Sequence, residues 1–218
     1  MIGSRYRDII NNASDYSYHI LGCGAIGSAA ATQLCRMGAN YFALYDMDTV
    51  EDVNIGVSQF TSNDIGKNKV DALKDLLFDI NQEITVASFN ERFSEYYPQS
   101  ENEIAILGFD NMSTRLQAVE ALCLNKKKPQ YVIDGRMGAE HYQQYVLEKP
   151  TVKKYLKTWY SDEDGSVEPC NAKATSYCSN MSGSFIANTI RKLLTKQPCP
   201  AVIDFHFPTM MLVNEGKV

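Results

Sequence analysis

Residues 19–48, HILGCGAIGSAAATQLCRMGANYFALYDMD, read in order as an apolar strand, a glycine-rich turn, an alanine-rich helix, a second apolar strand and a pair of aspartates. Gly22, Gly24 and Gly27 form G-x-G-x-x-G between strand and helix, the context in which that spacing cradles a phosphate chain. The first glycine permits a tight turn, the second lets backbone approach a phosphate, and the third lets helix pack closely on strand. N–H groups at the start of the helix then face the phosphates, and the helix dipole favours their charge. Asp46 lies 19 residues beyond Gly27, where a carboxylate can accept from ribose hydroxyls. The riboses of NAD and ATP offer the same pair of hydroxyls. The stretch therefore predicts an adenosine site without separating a dinucleotide dehydrogenase from an ATP enzyme.

Outward from this unit, strands and helices alternate. The pattern predicts a short helix over 4–13 carrying Arg5 and Arg7, a strand at 17–22, a helix at 26–37 stopped by Gly38, and a strand at 40–46. After a long connection over 47–62, Val70, Leu73, Leu76, Leu77 and Ile80 give helical spacing within 63–81. Strands follow at 83–89 and 103–108, then a helix at 112–125, then strands at 130–134 and 140–148 with Gly135 and Gly138 marking a turn between them. A last helix runs from Ala172 or Ser176 to Leu194, with Gly183 and Ser184 allowing a close contact, and a final strand occupies 201–207. This order predicts one α/β domain over 1–218, Rossmann-like, with a mostly parallel sheet covered by helices on both faces. Residues 149–170, with Trp159 and the acidic run SDEDGSVE, read as a mobile surface loop.

Composition narrows the class. The net charge of -5 gives no electrostatic case for nucleic acid, and Lys126–Lys128, the one basic run, reads as a solvated helix end. No stretch approaches a membrane span and the first residues are polar, so a cytoplasmic protein is expected. The six cysteines are spread without C-x-x-C spacing and read as reduced thiols. His19, His141 and His206 fall in separate predicted strands, against a cysteine/histidine zinc site.

Downstream of the glycine turn an ordered set of residues carries more specific information: Asp46-Met47-Asp48, then Glu51, Asn54 and Gln59, then D-I-G-K-N-K ending in Lys69, then Asp110-Asn111-x-x-x-Arg115. Taken singly these are ordinary: Lys69 an exposed helix lysine, Asp110 a helix cap, Arg115 a brace to its helix or a substrate contact. Taken together, over residues 18–195, the set resembles the ThiF/MoeB and ubiquitin-activating-enzyme family, whose pattern runs G-x-G-x-x-G, D-x-D, an asparagine, D-I-G-x-x-K and D-N-x-x-x-R.

The resemblance implies an adenylyltransferase that uses ATP and Mg2+ to activate a carboxylate, commonly the C-terminus of a ubiquitin-like or sulfur-carrier protein. It implies that Lys69 contacts the phosphates, Asp110 holds Mg2+, Asp46 holds the ribose and Asn54 orients the phosphates, with Asp48 and Gln59 near the nucleotide. Cys170, in E-P-C-N-A-K, resembles the cysteine that precedes the last helix in such proteins and is a candidate acyl acceptor. The acids at 162, 163, 164 and 168 push against a low thiol pKa, with Lys173 a partial offset, while Cys178 is expected to be buried in the helix.

Departures from the pattern are informative. An arginine common three residues after the asparagine is replaced by Val57, the glutamine is displaced by one, and the two C-x-x-C pairs of many relatives are absent, which predicts a compact, zinc-free member. Arg5 and Arg7 loosely resemble an N-terminal arginine that some relatives insert into a partner's ATP site, an arrangement that requires a homodimer; a surface helix arginine is the other reading. No appended sulfurtransferase or ubiquitin-fold domain is expected within 218 residues. Three rivals stand beside this reading: adenylation of a small-molecule or tRNA-linked carboxylate, an NAD-dependent oxidoreductase, and a non-catalytic partner subunit of an activating enzyme.

Overall fold

A computed structural model describes residues 4–163 and 174–218. A central sheet forms from β1 (Ser17–Leu21), β2 (Tyr41–Tyr45), β3 (Thr85–Phe89), β4 (Glu103–Leu107), β5 (Tyr131–Gly138), β6 (His141–Glu148), β7 (Val202–His206) and β8 (Met211–Glu215). The strand order is β3-β2-β1-β4-β5-β6-β7-β8. The first five are mutually parallel, and β6, β7 and β8 continue the sheet antiparallel. Every residue of β1 and β4 is buried, as strands covered on both faces must be. From β1 the chain crosses through α1 (Ala25–Arg36) to β2 on one side, while β4 lies on the other, so the crevice at the carboxyl ends of β1, β2 and β4 is the topological switch point where open α/β sheets take ligands.

One face is covered by α1, α3 (Lys69–Ile80) and α6 (Ser176–Leu194), through residues such as Leu34, Leu73, Leu77, Ile186 and Ile190. The other is covered by α4 (Met112–Leu124) and the short α5 (Val152–Tyr155), through Val119, Leu122 and Tyr155. Small residues set the closest helix contact. A Cβ on Gly183 would sit 2.6 Å from the Ala29 carbonyl oxygen, so the alanines of α1 and the glycine of α6 let the two helices pack backbone to backbone.

Several expectations are corrected. Residues 4–13 make no α-helix: two single 3-10 turns, Ser4–Tyr6 and Ala13–Asp15, flank a stretch whose apolar spacing is too sparse for a helical face, and Ile10 and Ala13 are pressed into the core. Gly135 and Gly138 mark no turn. Strand β5 runs through both, because Gly135 lies where a Cβ would meet Ile26 and Tyr142, and the reversal falls at Ala139, whose φ is 50°. The helix sought within 63–81 begins only at Lys69, since residues 49–68 are tied into a loop by Val50 N–H to Lys67 O and Gly66 N–H to Val50 O. That connection also holds α2 (Asp52–Ile55).

The segment from 149 to 163 is a built strap rather than a free loop: it contains α5, and Trp159 and Asp162 bond to α4. Strand β8 extends the sheet beyond the strand expected at 201–207: MLVNE has no clear alternation of its own and pairs through its hairpin with β7. Among the described residues no helix is long and apolar enough to cross a membrane.

Candidate functional site

The glycine turn follows from the packing. Gly22 has φ +92° and sits where a Cβ would lie 2.9 Å from the Gly108 carbonyl carbon, so the turn and the end of β4 touch backbone to backbone. A Cβ on Gly27 would overlap the Gly22 carbonyl oxygen, at 1.9 Å, which fixes α1 against β1. Gly24 differs from both. Apart from Gly24 itself and its two chain neighbours, no protein atom lies within 4 Å of where its Cβ would be, and as N-cap of α1 it provides no side-chain hydrogen bond to the helix. The first turn of α1 is thus left for a ligand to cap, the arrangement that suits a phosphate.

Beside that turn, at the end of β2, the half-buried Asp46 accepts from the backbone N–H of Cys23 at 2.7 Å and of Asp48 at 2.9 Å. Burial holds its carboxyl above the usual value, against the lowering effect of the Asp48 N–H, the Lys69 charge and the Cys23 N–H. Lys69, the first residue of α3, is only 12% exposed and donates to Asp48 Oδ2 at 2.8 Å, while its own N–H bonds to the Asp48 carbonyl. Burial pulls its pKa down, but the Asp48 hydrogen bond and the charges of Asp46, Asp48 and Asp110 together raise it. The three acids and the lysine singled out from sequence therefore share one electrostatic environment, with acidic charge in excess. Among the described residues no three His, Cys, Asp or Glu side chains are grouped to hold a metal by themselves. An acid presented singly suits Mg2+, which keeps water and substrate phosphate oxygens as its other ligands.

Asp110 is exposed at the turn between β4 and α4, accepting from Asn111 Nδ2 at 3.0 Å. The cap of α4 is Asn111, whose Oδ1 accepts the Thr114 N–H at 2.8 Å, so the helix-cap role belongs to the neighbour. Arg115 takes the brace role. Its guanidinium is buried against Asp134 and also donates to the Phe109 carbonyl, which fixes the residue before Asp110 from beneath.

Sequence reading missed Asp134, although an acid ending the apolar run YVID was its signal. Asp134 is fully buried and gathers Arg115, Arg136 (Nε 2.8 Å) and the Tyr155 hydroxyl (3.0 Å). Burial lowers the pKa of Arg136, but the Asp134 carboxylate outweighs it and the net shift is upward; the Arg136 guanidinium lies 4.2 Å from the Tyr145 ring centre. Also missed were Trp159 and Asp162, whose contacts with α4 join residues about fifty positions apart and leave no trace in spacing.

The remaining candidates divide. Asn54 is in α2, its Oδ1 spent on the Glu51 N–H at 2.9 Å in a capping box, which leaves its amide nitrogen as the donor it can offer a phosphate. Gln59 bonds Asn180 of α6 through its side chain, and its N–H bonds the Ser28 hydroxyl, so it ties the loop to two helices. Arg7 lines a depression with Met37, Asn40, Asn81 and Glu83 at the amino ends of β2 and β3, the opposite end of the sheet from Gly24 and Asp46. Cys178 is buried in α6, and its thiol is pushed up to about 11 by burial, followed by Glu140. Cys170 lies outside the described residues. His19, His141 and His206 occupy β1, β6 and β7, where His141 bonds Asp204 at 2.8 Å and His206 bonds Thr209 at 2.9 Å.

An open sheet with a glycine turn, an uncapped helix and a strand-end carboxylate at its switch point defines a Rossmann-like nucleotide-binding domain. The family model described as the ThiF family matches residues 7–215, and the chain belongs to that family. It is 41% identical over 76 residues to ubiquitin-like modifier-activating enzyme 5 of Oryza sativa subsp. japonica, covering 35% of this chain and 18% of that protein. To the Arabidopsis thaliana protein of the same name it is 27% identical over 145 residues, covering 66% and 31%. The matched stretch thus spans less than a third of these relatives' length.

Among solved structures, the fold is shared with E. coli MccB crystallised with ATP (TM-score 0.70, 18% identity, 96% of this chain and 66% of that one). It is also shared with PaaA (TM-score 0.72, 19% identity, 98% and 78%).

Proposed function

We propose that the chain is an ATP-dependent adenylyltransferase that activates a carboxylate. One observation carries the reading: Lys69, from the start of α3, is held in a half-buried position among Asp46, Asp48 and Asp110, three acids brought from two strand ends to the side of an uncapped glycine turn. A dinucleotide dehydrogenase needs the turn and Asp46 but has no use for a buried lysine there, nor for an acid presented beyond β4.

In this reading Gly24 and the first N–H groups of α1 take the phosphates, Asp46 takes the ribose hydroxyls, and Lys69 exchanges Asp48 for phosphate oxygens when nucleotide enters. Asn54 donates its amide to the phosphates, with Asp48 and Gln59 at the rim. Asp110 would hold Mg2+, which supplies charge neutralisation at the phosphates. A substrate carboxylate oxygen attacks the α-phosphorus, the bond from that phosphorus to the bridging oxygen breaks, pyrophosphate leaves and an acyl-adenylate forms. The residues here contribute by positioning and by neutralising developing charge, the large terms in phosphoryl chemistry.

The substrate class we infer is the C-terminus of a ubiquitin-like or sulfur-carrier protein, which the relatives named as ubiquitin-like modifier-activating enzymes support. Cys170 is the proposed acyl acceptor. A homodimer in the cytosol completes the reading: Val57 stands where a phosphate-contacting arginine is usual, and Arg7, at the far end of its own sheet, serves such a site only in a partner.

ATP–pyrophosphate exchange with candidate carrier proteins tests the proposal. The unmodified protein is expected to exchange with its carrier, and Asp110→Ala to lose at least about a hundredfold in rate, the scale of removing a transition-state charge contact. Absence of exchange with every carboxylate tried would favour the non-catalytic subunit. Cys170→Ala is expected to keep exchange and lose a reductant-sensitive acyl adduct; an unchanged adduct places the acceptor elsewhere.

A further inference from the structure

The turn that carries Asp110 is held from two directions by residues to which the proposed chemistry assigns no part. From beneath, Arg115 donates to the Phe109 carbonyl. From outside, the strap that follows α5 reaches the first turn of α4: Asp162 accepts the Met112 N–H at 2.5 Å through Oδ1 and the Ser113 N–H at 3.1 Å through Oδ2, and the Trp159 indole N–H donates to the Met112 carbonyl at 2.8 Å. An exposed helix end does not need this, because water satisfies such N–H groups and α4 already has its own cap in Asn111. Two side chains of the strap converge on Met112, two residues after Asp110, while Asp110 itself stays exposed.

We propose that Asp162 and Trp159 are positioning residues for Asp110: by pinning the first turn of α4 they set where the Asp110 carboxylate meets a divalent cation at the nucleotide. This rests on the reading of Asp110 as the metal-holding acid. The physical demand is strict, since Mg2+ takes near-octahedral ligands at about 2.0–2.1 Å and tolerates little slip in a carboxylate. Asp162 keeps its charge for the task. The Met112 N–H bond holds its carboxyl below the usual value, helped further by Ser113 and Arg115.

The test is calorimetric titration of the full chain with ATP at a series of Mg2+ concentrations, with thermal melting alongside. Asp162→Asn is expected to raise the Mg2+ concentration at half-effect by about tenfold, at the lower end of what outer partners of a metal ligand contribute. Its ATP affinity without Mg2+ should not change. Trp159→Phe, which keeps an aromatic side chain but removes the indole N–H, is expected to raise that Mg2+ concentration by about threefold, the scale of one neutral hydrogen bond. In an Asp110→Ala background neither change adds to the loss. A Mg2+ response unchanged in both variants overturns the proposal even if melting falls, because a purely structural strap would move the melting point alone. A wild-type chain whose ATP affinity ignores Mg2+ overturns it too. These readouts involve no acyl transfer, so absence of pyrophosphate exchange would count against adenylation and leave this proposal to stand or fall by itself.

Discussion

At the scale of single residues the site is a balance of charges held partly out of water. Asp46 is raised above the ordinary carboxylate value of 3.8, so the folded chain holds that proton more tightly than the unfolded one does. Ionising it costs folding stability as pH rises through that window, and above it the cost is constant. Nucleotide affinity should therefore fall with acid at a pH above 3.8, and the limb should vanish in Asp46→Asn. Near neutral pH that variant is expected to bind ATP about tenfold more weakly, the loss of a charged acceptor, while its melting point stays within about a few degrees. Titration calorimetry across pH and a melting curve check both.

Lys69 has the opposite sign. Its pKa is raised above 10.5, so its contribution to stability is complete below that value and is lost only as pH climbs through the folded pKa; binding that depends on its charge is flat across neutral pH. Lys69→Met leaves Asp46, Asp48 and Asp110 without their common counter-charge. It is expected to lower ATP affinity at least tenfold, and recovery of affinity on raising Mg2+ would show that neutralisation, more than shape, is what the lysine supplies.

At the scale of elements, glycines do different work according to what surrounds them. Gly27 and Gly183 are packing positions, their Cβ sites 1.9 Å and 2.6 Å from carbonyl oxygens, and Gly24 is open. Gly183→Ala is expected to destabilise by about 1–3 kcal/mol, as overpacking between helices does, with ATP affinity little changed per folded molecule. Gly24→Ala is expected to cost about 1 kcal/mol or less yet weaken ATP binding at least tenfold, because the methyl occupies the room left beside the backbone. Denaturant melts paired with nucleotide titrations separate the two. Equal losses of stability and binding at both positions would contradict the assignment of Gly24 to the ligand.

At the scale of the whole molecule, β5 and β6 join two halves with different tasks. The parallel half, β3-β2-β1-β4-β5, builds the nucleotide crevice at its carboxyl edge, and the antiparallel hairpins carry the sheet outward to β8, all of whose residues are exposed. Asp134, on the last parallel strand, ties β5 to α4 and α5 on one face of the sheet. The homodimer reading makes a mass prediction: sedimentation velocity should show a species twice the 24.5 kDa of one chain. If Arg7 completes a partner's site, Arg7→Ala mixed with Asp110→Ala should recover about a quarter of native exchange at equal amounts, since only mixed dimers hold one intact site.

Much of this was legible along the chain. Local periodicity and short-range stereochemistry placed the strand–turn–helix around Gly22, Gly24 and Gly27, the alternation of strands and helices along the chain, and the acids and lysine at strand and helix ends, because each is dictated by neighbours within a few residues. The resemblance then joined Asp46, Lys69 and Asp110 into one site. What only the tertiary structure decided is how that site is supported. Asp134 under Arg115, Asp162 and Trp159 over Met112, and the choice of Ala29 as the partner of the close contact expected at Gly183 join residues far apart in sequence, selected by burial and hydrogen-bond satisfaction in three dimensions, and no pattern of spacing records them.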